Sequence, residues 1–147
     1  MSAKIIALIV AVFSGLSMAL QGSLNSVLGK FIGLLEATFM VHVVGLLVLL
    51  TGLFAFRMGK GDLLKIPQAP WYVYLGGILG VIIVYTVVYS IPRLGVAITT
   101  TAIIVGQVTT ALFIDHFGLF GLEQIPFSWI KGLGLAFLAL GAKLMLS

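Results

Sequence analysis

The chain has 147 residues, of which 61% are hydrophobic and only 8% are charged, whereas an average soluble domain is about 45–50% apolar and about 25% charged. So few charged side chains cannot cover the surface of a soluble globule, and the composition therefore predicts an integral membrane protein. The lack of cysteine excludes disulfides and zinc–thiolate sites. The net charge of +4 comes from scattered Lys and Arg residues, so we expect no nucleic acid as a partner.

The spacing of apolar runs predicts the number of membrane spans. A hydrocarbon core about 30 Å thick needs about 20 helical residues, and five apolar runs of that length are present. They lie at about residues 5–28, 34–56, 71–91, 95–114 and 127–146. The predicted fold is an all-α bundle of five transmembrane helices in a single domain, residues 1–147. Trp71 and Tyr72 mark one membrane interface, Pro92 ends the third span and Pro126 suits the first turn of the fifth.

The basic residues give only a weak orientation signal. Lys4 precedes an apolar run like that of a secretory signal, but we expect this first span to stay as a helix. On the side of the membrane that holds Lys4, basic residues outnumber those on the other side by five to three. The positive-inside rule therefore favours a cytoplasmic N-terminus. Insertion in both orientations is the alternative.

Polar side chains inside two spans predict a cavity. Gln21 and Asn25 share one face of the first span with two serines, because they are four residues apart. In the fourth span, Thr100 and Gln107 are seven residues apart and also share a face. Amides within a membrane need a hydrogen-bonding partner, a water molecule or a substrate. The alternatives are bonding between helices for Gln21 and, for Asn25, capping of the turn after the first span.

Ionisable and aromatic residues are further candidates. Glu36 begins the second span, where it either exchanges a proton for a cation in a low dielectric or stays at headgroup level and stabilises the helix dipole. Asp115 is a second, weaker candidate for ion coupling. His42 lies deeper, on a face that we do not expect to include Glu36, and is either a ligand or a packing residue. Tyr85 offers an aromatic face to a substrate, or anchors the helix.

Small residues recur at four-residue spacing and predict close helix packing. These pairs are Gly29/Gly33, Gly76/Gly80, Ala102/Gly106 and Gly132/Ala136.

Several segments, in this order and spacing, resemble the short bacterial branch of the drug/metabolite transporter superfamily typified by YdcZ. The segments are Gln21–Asn25, Gly45, Gly76–Gly80, Pro92–Ala97, Gly106–Gln107 and Ile114–Gly118. The resemblance implies a five-helix unit, which many relatives duplicate as an inverted repeat of ten helices. A single five-helix chain reaches that architecture as an antiparallel homodimer or by pairing with a five-helix paralogue. The first helix has no acidic residue, unlike that of the small multidrug members, so their proton antiport is not implied.

The sequence thus predicts a multi-pass transporter of the inner membrane that works without a cofactor or bound metal. Its partners are the lipid bilayer and a small neutral or cationic organic solute, because no buried Lys or Arg is available to an anion. We expect Gln21, Asn25, Tyr85, Thr100 and Gln107 to bind the solute, and Glu36 and Asp115 to couple ions. The alternative is a non-transporting accessory subunit of another membrane protein. An enzyme is not expected, because no group of residues has catalytic spacing.

Overall fold

The computed structural model describes residues 3–145, which form helices and connecting turns and no strand. The α-helices are α1 (Ala3–Ile32), α2 (Leu34–Leu50), α3 (Leu75–Leu94), α4 (Val96–Phe117) and α5 (Trp129–Met145). A π-helical turn at Thr51–Ala55 extends α2, and a 3-10 turn at Trp71–Tyr74 leads into α3. Each of the five predicted apolar runs is helical over most of its described residues.

Four helical stretches in residues 3–145 are long and apolar enough to cross a membrane: Ala3–Ile32, Leu34–Ala55, Trp71–Leu94 and Val96–Phe117. The fifth helix, α5, has 17 residues, a length of about 25 Å at 1.5 Å per residue. The predicted last residue of that span, Leu146, lies outside the described residues. Residues 3–145 therefore form an all-helical structure with four candidate membrane spans and one further apolar helix, α5.

Three predicted helix ends are wrong. The first helix continues past Gly29 to Ile32, and only Gly33, with a φ of +101°, separates it from α2. The third helix continues through Pro92 to Leu94, because a proline near the end of a helix leaves just one carbonyl without its usual partner. Pro126 is not in the first turn of α5, which begins three residues later at Trp129.

The described helices fall into two compact units, divided between Arg93 and Leu94. In the first unit, α1 and α2 pack against each other as a hairpin. The α3 helix approaches α1 closely, since a Cβ atom added at Gly29 would lie 2.6 Å from Val88 Cγ1. A Cβ atom added at Gly22 would lie 3.0 Å from Val87 Cγ1. Two glycines seven residues apart therefore let α3 lie against α1.

In the second unit, α5 packs against α4, and the connector between them folds back onto the end of α4. The backbone N–H of Ile125 donates to the carbonyl oxygen of Asp115 at 2.8 Å, and Gln124 Nε2 donates to that of His116, also at 2.8 Å. The backbone N–H of Phe127 donates to Nδ1 of His116 at 3.2 Å. The connector is thus held by hydrogen bonds to the last turn of α4.

Candidate functional site

A cavity of about 630 Å³ in the first unit lies between α1 and α2. Its lining residues are Gln21, Asn25, Leu28 and Ile32 of α1, and Met40, Val41, Val44 and Gly45 of α2. The four α1 residues repeat at steps of four, three and four, as expected for one face of a helix. The structure therefore brings Gln21 and Asn25 into the same cavity.

The side chain of Asn25 is the more enclosed of the two amides. It is 8% exposed, and no hydrogen bond to it is present within residues 3–145. Asn25 lies seven residues before the end of α1, so it does not cap the turn, and that alternative is wrong. Its amide is available to a ligand or a water molecule, because an amide carries both donors and acceptors.

Two serines of α1 differ from these amides because their hydroxyl groups are hydrogen-bonded within the helix. Ser17 Oγ donates to the carbonyl oxygen of Phe13 at 2.9 Å, and Ser23 Oγ donates to that of Ala19 at 2.8 Å. Hydroxyl groups in a helix commonly satisfy themselves in this way. Within the polar stripe predicted on α1, Ser17 is therefore bonded within the helix, whereas the two amides line the cavity.

A second cleft, of about 680 Å³, runs along α2 and reaches Val81 of α3. We call it the His42 cleft. Its lining residues are Leu35, Glu36, Thr38, Phe39, Met40, His42 and Val81. Ideal helix geometry places Glu36 and His42 about 120° apart around the axis of α2. The cleft is wide enough to include both, and Met40 also lines the α1–α2 cavity.

Glu36 lines the His42 cleft near the beginning of α2. It is in the first turn of α2, and its carboxylate lies against Gly33, the residue before the helix. A carboxylate in this position interacts favourably with the helix dipole. The location agrees with the headgroup-level alternative and also leaves Glu36 lining the cleft.

The other predicted site residues lie elsewhere. Tyr85 of α3 is 39% exposed and lines neither cavity described above. In the second unit, Thr100 is half-buried and Gln107 is exposed on α4. Asp115 is half-buried in the last turn of α4, where its carbonyl oxygen holds the connector.

The second unit has its own cavity, of about 330 Å³, where α4, the connector and α5 meet. Its wall is mostly aromatic, with His116 beside three phenylalanines, and it includes neither Thr100 nor Gln107. The lining residues are Thr109, Leu112, Phe113, His116, Phe117, Phe127 and Leu135. Thr99, next to Thr100, is buried, and its Oγ1 has no hydrogen-bond partner within residues 3–145.

Sequence reasoning missed the wall that α2 contributes to both cavities. Met40, Val41 and Val44 are ordinary apolar residues of a membrane helix, and no signal in the sequence distinguishes them. The sequence indicated that His42 and Glu36 belong to the same span, but it did not indicate that they line one cleft. No group of three or more acidic and histidine side chains that could hold a metal ion occurs in the described part of the chain.

Comparison with known proteins gives one match. A family model described as "Putative inner membrane exporter, YdcZ" matches residues 6–144. No curated protein and no solved structure matches the chain.

Proposed function

We propose, from the premise that this chain belongs to the YdcZ family of inner membrane exporters, that it is a secondary transporter of a small neutral or cationic organic solute. The match runs through nearly the whole chain, and four helices are long and apolar enough to cross a membrane. The protein is accordingly a multi-pass protein of the inner membrane. Transport, rather than catalysis, is the function of the family.

The observation that carries the proposal is the pair of amides in the α1–α2 cavity. Gln21 and Asn25 face a wall that is otherwise apolar, and a polar group in a membrane is costly unless it is paired or lines a wet cavity. No Lys or Arg lines the cavity. A neutral or cationic solute is therefore a better substrate than an anion.

We further propose that α5 is a fifth span and that the transporter is an antiparallel homodimer or a pair with a five-helix paralogue. Phe127 and Ser128 extend the apolar length before α5, which makes 17 helical residues sufficient to span a thin or locally adapted bilayer. Gln107 supports a partner, because an exposed amide in hydrocarbon lacks hydrogen bonds that a second chain would supply. Thr100, Gln107 and Tyr85 then bind the solute, and Glu36 and Asp115 couple ions.

Transport by the Asn25→Leu variant tests the cavity. Everted membrane vesicles that contain the protein are offered a panel of small neutral and cationic solutes, and uptake is compared with vesicles that lack it. The variant removes the amide and keeps the branched shape of the side chain, so uptake of the transported solute should fall at least about tenfold. Its unfolding midpoint should not fall, because the chain loses no internal hydrogen bond.

Ser17→Ala is the matched control, because its hydroxyl bonds within α1 and does not line the cavity. It should transport at the wild-type rate. Wild-type uptake in Asn25→Leu would contradict the role of the cavity.

The dimer is tested by labelling the Gly61→Cys variant in intact cells with membrane-impermeant thiol reagents. Gly61 lies in the exposed connector after α2, a Cβ atom added there meets nothing within 4 Å, and the chain has no other cysteine. An antiparallel homodimer requires labelling from both sides of the membrane. Labelling from one side excludes it, and without an oppositely oriented paralogue the accessory-subunit alternative becomes the better one.

A further inference from the structure

We propose that His42 accepts a hydrogen bond from the N–H of a protonated amine of the solute in the His42 cleft, with Glu36 in the first turn of α2 supplying the opposite charge. The inference rests on the proposed transport function and narrows its solute class from neutral or cationic molecules to amines that carry an N–H group. His42 is then a binding residue deep in the membrane.

The ring of His42 is fixed by one hydrogen bond within α2. Its Nδ1 lies 2.7 Å from the carbonyl oxygen of Thr38. Because a carbonyl oxygen has no proton, the ring nitrogen must be the donor. In the neutral ring this leaves the proton on Nδ1 and an unprotonated lone pair on Nε2.

Nε2 of His42 lies close to Gly80 of α3, a position without a side chain. A Cβ atom added at Gly80 would lie 3.8 Å from Nε2, and Gly80 itself has only a hydrogen atom there. No hydrogen bond to Nε2 is present in residues 3–145. The structure thus holds an acceptor close to a position that has no side chain.

The depth and charge of the cleft select the ligand. His42 lies about 12 Å along the axis from the start of α2, and Glu36 lies about 9 Å before it. His42 is therefore near mid-membrane, and Glu36 is near the interface. Among the described residues, Glu36 is the only charged one that lines the cleft, so the cleft attracts cations and disfavours anions.

The size of the cleft and the rest of its wall also suit a small organic amine. A volume of about 680 Å³ lies within the range of about 300–1,000 Å³ typical of small-molecule sites. The ring of Phe39 adds an aromatic face, which attracts cations. An ammonium group that donates an N–H to Nε2 satisfies the acceptor that the protein leaves free, whereas a quaternary ammonium cannot.

The test is a ¹⁵N NMR titration of the histidine-labelled full-length protein in lipid nanodiscs. The two histidines, His42 and His116, are assigned with the His116→Gln variant. Butylammonium should move the Nε2 resonance of His42 toward the value of a protonated nitrogen, because it donates a hydrogen bond. Butyltrimethylammonium has the same alkyl chain and charge but no N–H, and it should leave that resonance in place.

Two pairs of variants localise the effect. Gly80→Leu places a side chain in front of Nε2 and should abolish the shift, whereas Gly77→Leu, where an added Cβ atom meets nothing within 4 Å, should retain it. Glu36→Gln should raise the half-saturating concentration of butylammonium about tenfold, because it removes the attraction of a negative charge about 10 Å away. Glu123→Gln makes the same charge change in the α4–α5 connector and should not alter it.

The proposal is overturned by no shift with butylammonium, by equal shifts with both ligands, or by a shift that survives in Gly80→Leu. A ring that stays protonated on both nitrogens at neutral pH also overturns it, because it has no lone pair. None of these outcomes affects the vesicle assay of Asn25→Leu. Conversely, a normal shift without any solute uptake by the wild-type vesicles would contradict the transport function and leave the amine site standing.

Discussion

The two units of the chain hold their helices together in different ways. In the first unit, glycines on α1 let the side chains of α3 approach the helix backbone, and Asn25, Ser26, Ala37, Thr38 and Val88 are buried. In the second unit, α5 has no buried residue within its described length, and the connector is bonded to the end of α4. Packing of small residues therefore stabilises the first unit. In the second unit, hydrogen bonds of the connector contribute more to stability than such packing does.

Because of this difference, we expect the two units to tolerate different kinds of substitution. Added volume is most damaging where a helix backbone is already in contact with a branched side chain. Loss of a hydrogen bond in an exposed connector has a smaller and more local effect. The following variants measure the contrast, from the largest expected effect to the smallest.

Gly29→Ala should destabilise the first unit most. The new Cβ atom would lie 2.6 Å from Val88 Cγ1, and the short branched side chain of Val88 cannot move away without shifting α3. We expect a loss of about 1–3 kcal/mol in the free energy of unfolding, partly offset by the better helix propensity of alanine. The measurement is unfolding in mixed micelles titrated with a denaturing detergent.

Gly15→Ala is its control on the same helix, since an added Cβ atom there meets nothing within 4 Å. It should unfold at the same concentration of denaturing detergent as the wild type or at a slightly higher one. Equal stability of the Gly29 and Gly15 variants would show that α3 does not pack against α1 at this point.

His116→Ala should loosen the connector without affecting the first unit. It removes the acceptor of the Phe127 N–H bond, a contribution of about 1 kcal/mol, so the Phe127 amide should exchange with solvent about fivefold faster. His116→Asn should restore most of the protection, because Asn Oδ1 takes a position close to that of Nδ1. Hydrogen exchange followed by mass spectrometry measures both, and faster exchange in α1 would argue against a local effect.

Gly132→Ala should have the smallest effect on stability. The new Cβ atom would lie 2.8 Å from Cζ of Phe127, but that ring is exposed in the connector and can turn away, so the free energy of unfolding should change by less than about 0.5 kcal/mol. The nuclear Overhauser contact between Phe127 and residue 132 should disappear. Gly134→Ala, with nothing within 4 Å of an added Cβ atom, should keep it.

Much of the fold could be predicted because hydropathy depends on local sequence. The five apolar runs are helical over most of their described residues, and the predicted starts at residues 34 and 71 match those of α2 and the turn before α3. Two of the three wrong helix ends concern Pro92 and Pro126, whose effect depends on whether the backbone near them has other hydrogen-bond partners. The pair Gly29/Gly33 was predicted as one packing motif, but Gly33 forms the turn, and Gly22 is the second glycine that faces α3.

The candidate site was only partly predictable, for a physical reason. The spacing of Gln21 and Asn25 determines that they share a face of α1, and one cavity does contain both. Which helix supplies the opposite wall depends on tertiary packing, which a single helix sequence does not encode. His42 and Glu36 illustrate the same limit, because angular separation on a helix does not determine the width of the cleft beside it.

The single-residue turn at Gly33 has a consequence for biosynthesis. The N–H of Gly33 bonds to the carbonyl oxygen of Gly29 at 3.1 Å, and its own carbonyl oxygen accepts from Ala37 at 3.0 Å, so no loop is available for separate translocation. The helices α1 and α2 must enter the bilayer as one hairpin, and the direction of α2 is decided together with that of α1. Lys30 and Glu36 flank the turn with opposite charges, so the tip of the hairpin carries no net formal charge across the membrane in either direction.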